Sequence, residues 1–147
     1  MTDLAPDAAT DSEAFVVAWL SPFFADLNGL AGIKRKSGDP LPFGLVREVD
    51  QHEYEQQLSS LPLVSVHWMA ATEQDCIELA RDGHRRMSVL ALDPTTEVEV
   101  DGRVVVLEWL ETVHAPIWVD YTTNQVFRKT SRYRMSLGFQ EADDDGS

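Results

Sequence analysis

Leu63-Val64-Ser65-Val66-His67-Trp68-Met69-Ala70 runs through Ala71 into Thr72-Glu73-Gln74-Asp75-Cys76-Ile77-Glu78-Leu79-Ala80. The change of rhythm between the two halves decides the fold class. In the first half Val64, Val66 and Trp68 share one side of an extended chain, and Ser65, His67 and Met69 share the other. That is the period-two spacing of a strand. In the second half Cys76, Ile77, Ala80, His84, Met87, Leu90 and Ala91 recur at three- and four-residue steps, while Glu73, Glu78, Arg81, Asp82, Arg85 and Arg86 fill the other side. This predicts a helix from Thr72 to about Leu90. Thr72 and Asp75 have N-cap and N3 spacing, and the early acids and late arginines suit the helix dipole. Asp93-Pro94 stops it.

Upstream of this unit, Phe43 to Val49 reads as a strand, and the polar stretch Gln51 to Ser60 as a hairpin loop or a short helix. Asn28 to Pro42 is rich in Gly, Asn and Pro and reads as a mobile loop holding the basic triplet Lys34-Arg35-Lys36. Before it, a helix is predicted from Asp11 to Leu20, with Thr10 and Glu13 at capping-box spacing and Pro22 ending it or starting a new turn. Ala14, Phe15, Val16, Val17, Ala18, Trp19 and Leu20 make it apolar almost all round. Such a helix is either central in the fold or meets another chain on its outer side.

Downstream, Glu97-Val98-Glu99-Val100 alternates, Asp101-Gly102 is a hairpin signal, and Val104 to Trp109 continues on the far side. Asn124-Gln125 marks another turn. In the last strand Phe127, Ser131, Tyr133, Met135, Leu137 and Phe139 face one way, and Arg128, Thr130, Arg132, Arg134 and Ser136 the other. The order is therefore helix, two strands, helix, then three or four strands. That is α+β: a mixed or antiparallel sheet with two main helices packed against it. One domain is expected over 11–140, between acidic flexible tails at 1–10 and 141–147.

The chain has 147 residues, 44% of them apolar and 25% charged, which is globular composition for a single core. Its net charge is -13. Asp3, Asp7, Asp11 and Glu13 open the sequence, and Glu141, Asp143, Asp144 and Asp145 close it, with no Lys or Arg in either stretch. Such a balance argues against a generic nucleic-acid binder and against docking on an anionic membrane. No apolar run approaches the roughly 20 residues that span a bilayer. A soluble protein is expected.

The residues assemble no recognisable reactive constellation. There is no phosphate-cradling glycine loop, no nucleophile elbow and no metalloprotease or calcium-loop spacing. The single cysteine, Cys76, lies on the apolar stripe of the second helix and reads as core. His67 and His84 flank one strand–helix unit, so a shared site is conceivable, although their spacing with His52 and His114 matches no metal motif. Glu97 and Glu99 read as a solvated edge. Trp19, Trp68, Trp109 and Trp118 could build a ligand pocket or, more simply, a core. The arginine row of the last strand is a soluble face or a chain–chain contact. The residues assigned to such contacts are Lys34, Arg35, Lys36, Arg128, Arg132 and Arg134.

Several phrases resemble tail terminator proteins of long-tailed bacteriophages, especially phages of actinobacterial hosts. Leu41-Pro42-Phe43-Gly44-Leu45-Val46-Arg47 resembles their first-strand segment, and Ala14-Phe15-Val16-Val17-Ala18-Trp19-Leu20-Ser21-Pro22 their opening helix. The stretch from Leu63 to Thr72 running into Cys76-Ile77-Glu78-Leu79-Ala80 is similar to their strand-then-helix unit. Ala115-Pro116-Ile117-Trp118-Val119-Asp120-Tyr121 and Arg132-Tyr133-Arg134-Met135-Ser136-Leu137 match their closing segments. The likeness spans about residues 11–139, with Asp50-Gln51-His52-Glu53-Tyr54 standing where a glycine-rich segment belongs.

The resemblance implies a structural virion protein, not an enzyme, with no cofactor and no metal. It implies a hexameric ring on the head-proximal end of the tail tube, made in the host cytoplasm. Its partners would be further copies of itself, the major tail tube protein and the head–tail connector or neck proteins, with DNA only as passing cargo. Unpaired sheet edges or the apolar first helix could supply the ring contacts. The alternatives are another neck or head–tail completion protein, or a small ligand-binding domain with a pocket lined by Trp68, Trp109, Trp118 and His67.

Overall fold

The computed structural model describes residues 9–49, 61–93, 96–100, 102–119 and 126–140. In chain order these form α1 (Asp11–Ala25), β1 (Leu30–Gly32), β2 (Phe43–Glu48), β3 (Leu63–Ala70), α2 (Glu73–Leu92), β4 (Glu97–Val100), β5 (Arg103–Trp118) and β6 (Phe127–Gln140). The strands make one sheet in the order β1-β2-β3-β6-β5-β4. All neighbours are antiparallel except β1 and β2, which run parallel. The α+β class, the mixed sheet and the two helices agree with the sequence. The polar stretch Gln51–Ser60, the turn at Asn124-Gln125, residues 1–8 and the tail 141–147 lie outside the described residues.

The capping box at the start of α1 is formed. Thr10 Oγ1 accepts from the Glu13 N–H at 3.2 Å, and the Thr10 N–H donates to Glu13 Oε1 at 2.9 Å. Glu13 is nonetheless only 3% exposed, because its other oxygen accepts from the Glu48 N–H at 2.6 Å and lies 3.5 Å from Arg47 Nε. The same carboxylate therefore caps the helix and ties it to β2. Burial, with Glu13 and Asp11 close by, pushes the Glu48 carboxyl above its ordinary range.

The helix expected to close near Leu20, with Pro22 ending it or starting a new turn, instead continues through Pro22 to Ala25. Proline removes one rung of the helix ladder, but packing beyond it outweighs that loss. Phe24 is fully buried, stacks on Trp68 with ring centroids 6.1 Å apart, and lies over Gly44, where any Cβ would come within 2.5 Å of the ring.

The apolar girth of α1 has an internal explanation. Phe15, Val16, Leu20 and Phe24 are buried in the core. Trp19 faces α2, its Nε1 donating to the Arg86 carbonyl at 3.1 Å while Arg86 Nε donates back to the Trp19 carbonyl at 2.9 Å. The guanidinium lies 4.3 Å from the indole centroid. Ala14, Val17 and Ala18 border a groove shared with Gly32 and Ile33 beside one sheet edge and with Glu99 and Val100 on the other. The sheet therefore curls around the helix, as a strongly twisted sheet can.

The α2 stripe differs from the predicted one in detail. Leu79 and Gly83 are buried, whereas Ile77 is half-buried and Ala91 exposed. Gly83 faces the Trp68 ring, and Cys76 Sγ donates to the Trp68 carbonyl at 3.3 Å. Beneath α2 a buried polar chain crosses the sheet. Trp68 Nε1 donates to Ser131 Oγ at 2.9 Å, Ser131 Oγ lies 2.9 Å from Tyr133 Oη, and that hydroxyl lies 2.8 Å from His84 Nδ1. Burial raises the Tyr133 phenol and lowers His84.

The segment read as a mobile loop holds a strand: Leu30–Gly32 pairs with Phe43–Leu45. Strand β5 also runs to Trp118 rather than Trp109. Both errors arise from partners that are distant in sequence, which local patterning does not register.

Candidate functional site

Residues paired across an antiparallel ladder share a face, so the register locates each strand side chain. One face carries Val64, Val66 and Trp68 with Ser131 and Tyr133 under the helices. The opposite face is laid out in rows. Arg47, Ser65, Arg132 and His114 form one row; Leu45, His67, Thr130 and Ile117 form the next; Phe43, Met69 and Arg128 form the third. Leu63, Arg134 and Glu111 lie on the outer side of the first row.

Among the described residues no helix covers this face. It gathers Arg47, Arg128, Arg132 and Arg134 from separate strands in a chain of net charge -13, around Phe43, Ser65, Met69 and Thr130, which are themselves buried.

His67 sits at its centre. Its Nδ1 lies 2.9 Å from Thr130 Oγ1 and its Nε2 lies 3.3 Å from Ser65 Oγ. Burial, then the charges of Arg128 and Arg132, lower its pKa to about 4. Ser65 is 4% exposed and its hydroxyl donates to the Arg47 carbonyl at 3.3 Å. A serine beside a histidine invites a nucleophile–base reading, but the chemistry does not fit. The histidine is too weak a base near neutrality, its far nitrogen meets a hydroxyl where a carboxylate would orient it, and the serine proton is committed elsewhere. The cluster holds the centre of the face in a neutral state between arginines.

The side chains of Arg128 and Arg132 make no hydrogen bond or ion pair among the described residues, and Arg132 Nε is buried without a partner. Arg47, by contrast, pairs with Glu13 at 3.5 Å, reaches the Ile33 carbonyl at 3.1 Å and stays half exposed. At the rim Trp109 and Ile117 are 42% and 55% exposed. The site is thus a positively charged plate with apolar margins, suited to an acidic partner surface.

The six contact residues expected from sequence divide into two groups. Arg128, Arg132 and Arg134 lie together on this face. The basic triplet lies beside the Phe43 corner, with Lys34 and Lys36 exposed and its backbone held in a turn. The Lys36 N–H donates to Asp39 Oδ2 at 2.7 Å, Arg35 Nη2 donates to the Asp39 carbonyl at 2.8 Å, and the Arg35 guanidinium lies 5.9 Å from the Phe43 ring centroid.

The tryptophan–histidine pocket is not assembled. Trp68 is fully buried under the helices, His67 lies on the opposite face, and Trp109 is on the outer margin. His67 and His84 are likewise on opposite sides of the sheet and share no site. Cys76 is buried, and burial pushes its thiol up to about 11. Among the described residues no group of three His, Cys, Asp or Glu is close enough to hold a metal ion. No helix among them is long and apolar enough to cross a membrane.

Arg47 and the Ser65–His67–Thr130 cluster were missed from sequence. The alternation of β3 already put Ser65 and His67 on one side; the missing fact was that β3 lies beside β6. No protein-family model matches the chain, and no curated protein does.

Proposed function

We propose that this chain is a ring-forming structural subunit, and that the ring is a tail terminator of a long-tailed bacteriophage. It caps the head-proximal end of the tail tube, stops tube polymerisation and joins the tail to the head connector. The observation that carries the assembly reading is the sheet face that no helix among the described residues covers, where Arg128 and Arg132 make no ion pair among those residues in a strongly acidic chain. Unpaired cations on a broad face with apolar margins are suited to a partner surface more than to a small substrate. The phage reading rests on the resemblance, whose phrases fall on α1, β2, β3 with α2, β5 and β6. An acidic ring also suits a conduit, since it lets DNA phosphates pass without adhering.

The test is assembly. Light scattering after gel filtration and negative-stain microscopy should find closed rings, and adding the protein to polymerising tail tube protein should shorten the tubes. A protein that stays monomeric at all concentrations and leaves tube length unchanged would overturn the proposal.

A further inference from the structure

The molecule has two layers, and the layer opposite the arginine face carries the complementary surface. A groove of about 300 Å³ lies between the C-terminal end of α1 and the first turns of α2. Phe23, Leu27, Pro42 and Leu79 give it an apolar lining, and Leu27 is 44% exposed. Asp75, Glu78 and Asp82 form an acidic rim. Asp82 is already engaged by Arg81 at 3.0 Å and Arg85 at 3.6 Å. Asp75 and Glu78 form no ion pair within 4 Å among the described residues; Glu78 accepts a hydrogen bond from Gln74 at 2.9 Å and lies in the field of Arg81.

We infer that each copy seats its arginine face, through Arg128 and Arg132, on the acid-rimmed groove at Asp75 and Glu78 of the next copy. The inference rests on the ring reading and names the contact that closes the ring. Charge selects the pairing, because cations that make no ion pair among the described residues on one layer meet carboxylates on the other. The apolar parts also match: exposed Trp109 and Ile117 flank the arginines, and exposed Leu27 flanks the acids. The two surfaces are different and lie on opposite layers. The contact is therefore heterologous, repeats in one sense from copy to copy, and closes when its rotation divides a full turn. Nucleic acid is the other polyanion such a plate could take, but the net charge of -13 opposes it.

Paired charge reversals test this directly. One variant carries Arg128→Glu with Arg132→Glu; the other carries Asp75→Arg with Glu78→Arg. Each alone should weaken assembly at least 100-fold while keeping wild-type circular dichroism, and an equimolar mixture should recover rings, since each reversed surface then finds its complement. A monomeric wild type would overturn the ring reading itself. Wild-type rings with both variants still assembling would leave the ring standing and overturn this contact. So would variants that dissociate but fail to recombine, or a plate that binds duplex DNA while reversal leaves assembly intact. If a reversal fails to fold, Arg128→Ala with Arg132→Ala and Asp75→Asn with Glu78→Gln replace it. Each neutral pair should then weaken assembly and flatten its salt dependence, and an unchanged salt dependence would overturn the contact.

Discussion

Gly83→Ala tests the closest approach in the core. Inside a helix, Ala is favoured over Gly by about 1 kcal/mol, so on an open surface the change would stabilise. Here a Cβ at position 83 would stand 2.2, 2.5 and 2.8 Å from three ring atoms of Trp68. The ring has little freedom to withdraw. It is fully buried, its N–H is held by Ser131 at 2.9 Å, and Phe24 stacks on it. Overpacking of this kind costs about 1–3 kcal/mol, and contacts this short belong at the upper end. The net expectation is destabilisation by about 2 kcal/mol, equivalent to a melting point about 4–8 °C lower for a domain of this size. Urea unfolding followed by tryptophan fluorescence and far-ultraviolet circular dichroism would measure it. A double-mutant cycle with Trp68→Leu should give a coupling of about 1 kcal/mol or more, because the smaller partner removes the clash. A Gly83→Ala protein as stable as wild type, or more so, would refute the reasoning, since helix propensity alone would then describe the site.

Ser131→Ala should cost about 2 kcal/mol in the same urea assay, because it strands the buried Trp68 N–H and leaves the Tyr133 hydroxyl with His84 alone; a loss below about 0.5 kcal/mol would mean the chain of hydroxyls is dispensable. Val17→Asp places a charge on the packed side of α1 close to Glu99, and should cost roughly 2 kcal/mol or more in melting experiments; unchanged stability and oligomer size would mean that side is solvated. The His67 pKa, lowered to about 4 from 6.5, sets a pH dependence. The unfolded chain takes up the proton first, so the contribution is complete above pH 6.5 and is lost as pH falls toward 4. It amounts to about 2 kcal/mol after allowing for partial exposure. Stability curves of wild type and His67→Gln should therefore differ in slope across that window, and parallel curves would refute it.

Local rules read well where the cause was local. The Thr10–Glu13 box, the alternation of Leu63–Ala70 and the Thr72 cap are set by residues within a few positions of one another, and each is found where the spacing puts it. The failures share the opposite property. Pro22 was read as ending the helix or starting a new turn because the Phe24–Trp68 stack that carries the helix past it joins residues far apart in sequence. Gly83 has no signal of its own in the sequence and gains its meaning only from Trp68, which packs against it. Leu30–Gly32 lacks a strand pattern of its own and becomes one only against β2. The candidate site was half legible for the same reason. The arginine row of β6 was visible, but its union with Arg47 and His67 depends on the order β2-β3-β6.

That order also decides by which surfaces such a subunit can assemble. Besides the basic residues, the sequence offered two routes: an apolar first helix and unpaired sheet edges. The helix is largely spent inside the fold, between the sheet, α2 and both edge strands. The edges are poor templates. Past Leu107, whose N–H reaches Thr96, the outer side of β5 meets no strand among the described residues, yet it is interrupted by three register shifts and by Pro116. Bulges, proline and the charges of Glu108 and Glu111 are the devices that stop strand addition. The other edge, β1, is only three residues long. With edges blunted and the helix committed, the broad faces remain, and of these the arginine plate and the acid-rimmed groove are the pair whose charges and apolar margins match. Edge-to-edge growth would build an open ribbon, whereas face-to-groove contact lets the rotation per copy set the copy number.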